Sequence, residues 1–156
     1  MELEKNIIYD GDTMKHDFQM QLYWPGGRNN VGTLSAKNLQ TNVSIPHEMD
    51  GPEVGTNPDE MLLGAAATCY MISLGALLER ANIQATLAIE SVGTVDVTNG
   101  VFTYEKIVHT VQIALALAES TQQEKAYKLA MKAEQTCMIS KALKGNVLIE
   151  VVVQFI

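Results

Sequence analysis

Apolar and polar positions along this chain follow two periods. Phe18, Met20, Leu22 and Trp24 alternate with Gln19, Gln21 and Tyr23, and Leu39, Thr41, Val43 and Ile45 alternate with Gln40, Asn42 and Ser44. That period of two puts one face of a strand toward a core. Two longer runs meet at Asn99-Gly100, the pair favoured in two-residue hairpin turns. The chain closes on NVLIEVVVQFI, whose largely continuous apolar run predicts a strand covered on both faces. Between Met61 and Leu78 no side chain is charged, the pattern of a helix that is apolar all round. Asn57 as cap, Pro58 at the first helical position and Glu60 at the third predict that this helix runs from about Pro58 to Arg80. A second helix is expected after Ser120 or Thr121, where STQQE offers two overlapping capping boxes. It continues through AYKLAMKAEQTCMISKAL with an interruption near Cys137 and ends at Gly145. Strands, helix, hairpin, helix and strand in this order describe an α+β domain, antiparallel sheet around two helices.

The composition narrows the class. A chain of 156 residues, 47% apolar, fits one domain with a full core. Eighteen acidic residues against eleven basic ones give a net charge of −7, and no run of Lys or Arg could neutralise a phosphate backbone, so nucleic acid is not an expected partner. The start, MELEKNIIYDGD, lacks the basic, apolar and small-residue signature of a signal peptide and points to the cytoplasm. Eighteen uncharged residues would just suffice to span a bilayer. Their richness in Ala and Gly, with Thr68, Cys69 and Ser73 among them, fits a closely packed helix in a soluble core instead, and no membrane span is expected. His16, His47 and His109 are scattered, and no Cys-x-x-Cys is present, so neither a metal site nor a disulfide framework is expected.

Chemistry centres on two thiols. Cys137 has Glu134 three residues before it and Lys141 four after it, nearly cancelling influences on one helix face. Cys69 has no ionisable neighbour except Tyr70 within seven residues on either side. Burial there would keep it protonated, so either it is core filler or a distant part of the chain activates it. The chain has two arginines. Arg80 lies about 16 Å further along the helix, which leaves Arg28 in the glycine-containing turn WPGGRNN. A solvated arginine at a hairpin tip is the plain alternative for Arg28. Asp59 and Glu60, in the first turn of the helix, are explained equally by its dipole.

TNPDE at 56–60 followed by ATC at 67–69, and AEQTCMIS at 133–140, resemble the paired cysteine motifs of the OsmC/Ohr family; Gly26-Gly27-Arg28 is similar to the GGR turn of its organic hydroperoxide resistance branch. The resemblance implies a single OsmC/Ohr-like domain over 1–156, with 1–16 as an N-terminal extension or edge strand. It implies an intertwined homodimer in which sheets wrap two long central helices. The implied activity is thiol-dependent reduction of alkyl or lipid hydroperoxides by a cysteine-based peroxidase of the oxidative stress response. Cys69 would be the peroxidatic nucleophile and Cys137 the resolving thiol. Arg28 would stabilise the thiolate and the leaving oxygen, with Asp59 orienting Arg28 or Glu60 substituting for it. Tyr70, Met71 and Met138 would face the substrate. No metal or organic cofactor is implied, only an external dithiol of lipoyl type. Met138 stands where the family usually has proline, a change expected to alter the helix break that presents Cys137; Asp59 stands where glutamate is usual. The competing reading is a non-enzymatic dimer that binds a small hydrophobic or acyl ligand in the cleft between subunits.

Overall fold

The structure, a computed structural model, describes residues 9–11 and 13–156. The chain divides into two compact units, Met1–Pro58 and Asp59–Ile156. Of the N-terminal extension expected over 1–16, residues 1–8 and 12 lie outside the described residues; β1 (Tyr9–Asp10) and β2 (Thr13–Met14) pair antiparallel. The alternating segments of the first unit form an antiparallel sheet of β3 (Met20–Tyr23), β4 (Gly32–Ala36) and β5 (Gln40–Val43). Its register sets Leu22 opposite Leu34 and Gly32 opposite Val43, so the apolar positions read from the sequence share one face. A 3-10 turn at His47–Met49 follows, and the segment after it folds back so tightly that a side chain at Gly55 would strike the Asn42 carbonyl.

The second unit is a three-stranded sheet with helices packed on one face. Helix α1 (Pro58–Arg80) keeps the expected bounds, and its buried residues Ala66, Tyr70, Leu74 and Leu78 recur every fourth position. By length and composition this helix could cross a membrane. Here its buried stripe meets Val111 and Ile113 of the sheet and Ala126, Ala130 and Ala133 of a second helix. Burying each large side chain of that stripe stabilises the unit by roughly 1.5–3 kcal/mol.

Strands β6 (Ala85–Thr98) and β7 (Val101–Leu115) form the long hairpin, with Asn99 and Gly100 both at positive φ, as a type I′ turn requires. Strand β8 (Leu148–Phe155) joins β7 in parallel, which corrects the expectation of an all-antiparallel sheet. The cause is topological. The chain between β7 and β8 is taken up by α2 (Ser120–Thr136) and α3 (Met138–Leu143), and a helical crossover returns the next strand in the same direction. Nor is β8 covered on both faces: Ile149, Val151, Val153 and Phe155 are half-buried, while Leu148 and Val152 on the other face are exposed. Helix α2 is entered from Glu119 without a side-chain cap, so the expected Ser120 and Thr121 boxes do not form. Ser120 is already inside the first turn, where its hydroxyl cannot cap.

Candidate functional site

Cys69 lies on α1 between the buried stripe and the opposite face, where Gly64, Thr68 and Ile72 recur at intervals of four and Gly64 has no neighbour within side-chain reach. It is half-buried, whereas Cys137 is wholly buried, and both are free thiols. Cys137 occupies the break between α2 and α3, with extended backbone at φ −60°, ψ 124°. It closes α2 by donating its N–H to the Ala133 carbonyl, and it opens α3 by accepting the Ser140 N–H on Sγ at 3.5 Å. The break expected near Cys137 is present, with Met138 as the first residue of α3. Capping from both sides imposes the extended conformation at Cys137, and no proline is needed.

Helix α3 is held down by Ile139 and Leu143, which pack on the cluster of Ala66, Ile107 and Val147. That docking brings the start of α3 to the Cys69 sulfur. Burial acts to raise the Cys69 thiol, but hydrogen bonds from the Cys137 thiol, from the Ile139 and Met138 backbone N–H groups and from the Ser73 side chain outweigh it. The net effect lies below the ordinary value of 9.0. Cys137 moves the opposite way, raised by burial and by sharing its proton with Cys69, with Ser140 pulling against both. Two adjacent thiols thus differ in their hold on a proton, Cys69 shifted down and Cys137 up.

Other expected site residues stand as follows. Tyr70 was expected beside substrate and is instead a core residue: it is wholly buried, donates its hydroxyl to the Ala130 carbonyl at 3.1 Å and stacks on His109 at 5.2 Å. Tyrosine is wide enough to bridge α1, α2 and the sheet, and so it fills the interior. Met71 is half-buried against the core, and Met138 is exposed beside Cys137. Asp59 is in the first turn of α1, where its carbonyl meets the Tyr104 hydroxyl at 3.5 Å; Glu60 follows it. Burial and the Asp59 carboxylate together raise the Tyr104 phenol. Arg28 belongs to the N-terminal unit, in a turn where Gly26 and Gly27 take positive φ. Its guanidinium donates to the Met49 carbonyl at 2.6 Å, the Asp50 carbonyl at 3.4 Å and the Asn29 side chain at 2.8 Å. The turn that follows β5 thus seats the guanidinium on its carbonyls.

Sequence reasoning missed Ser73 and the α3 amides as partners of Cys69. The fourfold spacing from Cys69 to Ser73 was available as a signal. The amides were not, since every residue has one. Among the described residues no group of three or more His, Cys, Asp or Glu side chains converges as a metal site.

A mixed sheet backed by helices, with one cysteine in the long central helix and its partner at a break in the next, defines a two-cysteine α+β protein of the OsmC/Ohr kind. The chain belongs to the OsmC-like protein family, whose model matches residues 50–152. It is 54% identical over 134 residues to the uncharacterized protein YmaD of Bacillus subtilis, covering 85% of this chain and 89% of that one. It is 28% identical over 127 residues to the organic hydroperoxide resistance protein OhrB of the same organism, covering 78% and 87%. The OhrB crystal structure superposes with a TM-score of 0.65 at 24% identity over 88% of this chain and 98% of that one. An OsmC-like protein from Vibrio cholerae superposes at 0.73 with 15% identity, over 88% and 100%. These superpositions establish the fold.

Proposed function

We propose that this chain is a thiol peroxidase that reduces organic hydroperoxides to alcohols. The observation that carries the reading is geometric: the docked start of α3 sets buried Cys137 and the Met138 and Ile139 N–H groups against half-buried Cys69. The Cys69 thiolate attacks the terminal peroxide oxygen; the O–O bond breaks, and the alkoxide leaves and takes up a proton. The Cys137 thiolate then attacks the Cys69 sulfenic acid and expels hydroxide, which leaves as water, to give the Cys69–Cys137 disulfide. An external dithiol, of the lipoyl type that the family resemblance implies, returns both sulfurs to thiols and is itself oxidised to a disulfide.

Arg28 is assigned the stabilisation of the thiolate and of the departing oxygen, since guanidinium stays charged in poorly hydrated surroundings. Asp59, or Glu60 in its place, orients Arg28. Met71 and Met138 form the apolar wall that favours alkyl or lipid hydroperoxides. The two units act as one OsmC/Ohr-like domain of a cytoplasmic homodimer. The test is consumption of tert-butyl hydroperoxide with dihydrolipoamide by the parent protein, Cys69→Ser and Arg28→Ala. Cys69→Ser is expected to abolish turnover, and Arg28→Ala to lower it by about a hundredfold, the scale of one lost charge-stabilising group. Turnover that survives Cys69→Ser defeats the mechanism.

A further inference from the structure

Ser140 stands three residues after Cys137 and is buried, at 4% exposure. Its N–H is committed to Cys137 Sγ at 3.5 Å, while its hydroxyl has no nitrogen or oxygen partner among the described residues. A buried hydroxyl that meets no nitrogen or oxygen costs of order 1–3 kcal/mol, and what this one faces is the Cys137 sulfur, where it acts to lower the thiol.

In the peroxidase cycle that sulfur carries negative charge twice. It must be a thiolate to attack the sulfenic acid on Cys69. It is also the leaving group in reduction: Cys137 is fully buried and Cys69 is half-buried, so an external thiolate reaches the Cys69 sulfur. A new S–S bond forms there, and the electron pair of the old one moves onto Cys137 Sγ. The second thiol of the dithiol, as thiolate, then displaces Cys69 as thiolate and closes its own disulfide. We propose that Ser140 is a positioning residue of the resolving cysteine, its hydroxyl and backbone N–H together receiving the Cys137 thiolate at disulfide formation and at disulfide reduction. The role deepens the peroxidase reading and rests on it.

Ser140→Ala removes the hydroxyl, keeps the N–H and hardly changes volume; Ser140→Thr restores a hydroxyl. With one equivalent of tert-butyl hydroperoxide and dimedone as trap, Ser140→Ala should consume the peroxide at the parent rate. Its disulfide should form about tenfold more slowly, the factor for one lost hydrogen bond to a charged group, so the dimedone adduct on Cys69 accumulates. Ser140→Thr should recover part of the rate. A parent-like rate of disulfide formation in Ser140→Ala, without added trapping, overturns the proposal. A second arm needs no hydroperoxide. In a Cys69→Ser background the pH midpoint of the Cys137 thiolate's ultraviolet absorbance, which needs no reagent to enter, should rise on Ser140→Ala, and no movement counts against Ser140 whatever the peroxide assay gives. A parent protein that leaves the hydroperoxide untouched while this midpoint moves defeats the peroxidase reading and leaves the Cys137–Ser140 pairing standing.

Discussion

When two thiols share one poorly hydrated site, the proton settles on the sulfur that faces fewer donors. Cys69 faces the Cys137 thiol, two backbone N–H groups and Ser73, and Cys137 faces Ser140 and the Ile139 N–H. Among the donors to Cys69, the Met138 N–H is one that a proline would not possess. Met138→Pro places proline at the first position of α3, where it is sterically accepted, and deletes that donor. The expected outcome is a Cys69 alkylation curve displaced to higher pH with the fold unchanged, read by iodoacetamide rates and circular dichroism. An unshifted curve would mean that the amide does not act on the sulfur. At this scale the two cysteines and their motif were legible in the sequence, because their residue types are distinctive. The donors that separate their proton affinities were not, because backbone amides carry no residue label and come from a helix that begins 69 positions later.

Each element is placed by one face. Along β7, Ile107, His109, Val111 and Ile113 are buried and meet Ile149, Val151, Val153 and Phe155 of β8 in register. Between Thr94 and Val95 the partner in β7 jumps from Lys106 to Tyr104, leaving Glu105 as an extra residue of β7; Tyr104 so comes to lie opposite Val95 on that side, where its hydroxyl sits against Gly93 and the first turn of α1. His109 is the anomaly in this apolar row. Its Nδ1 pairs with the Ser91 hydroxyl of β6 at 2.7 Å, its ring stacks on Tyr70 of α1, Val151 of β8 lies opposite it, and Nε2 has no partner among the described residues. Burial lowers the imidazole below its ordinary value of 6.5, so the folded chain holds it neutral where the unfolded chain would bind a proton. Stability from this group is complete above pH 6.5 and declines as the pH falls through that value toward the folded one. The melting temperature should therefore drop on acidification below about pH 6.5. His109→Gln, neutral at every pH, should remove that part of the slope. Identical slopes for parent and variant would show that His109 does not contribute. Alternation and helix capping made the elements readable, but the parallel entry of β8 was not, since strand direction depends on what the intervening chain packs against.

For the whole molecule, apolar surface remains open that a monomer in water would cover. Ile72 on α1 is 68% exposed, next to the small residues Gly64, Thr68 and Gly75, and Phe18 of the N-terminal unit is 95% exposed. These surfaces favour the proposed homodimer. Sedimentation should give twice the chain mass for the parent, and Ile72→Glu, which sets a charge in the middle of the small-residue face, should shift the protein to the monomer. A parent that sediments as a monomer at micromolar concentration would exclude the dimer. The sequence by itself determined where the helices and hairpin lie, which faces are apolar and which two sulfurs are available, because periodicity, turn residues and residue type are local properties. Only the tertiary structure decided that β8 runs parallel to β7, that Tyr70 is interior, and that the first turn of α3 meets Cys69. Those outcomes depend on distant segments competing for the same buried volume, and no local pattern encodes the winner.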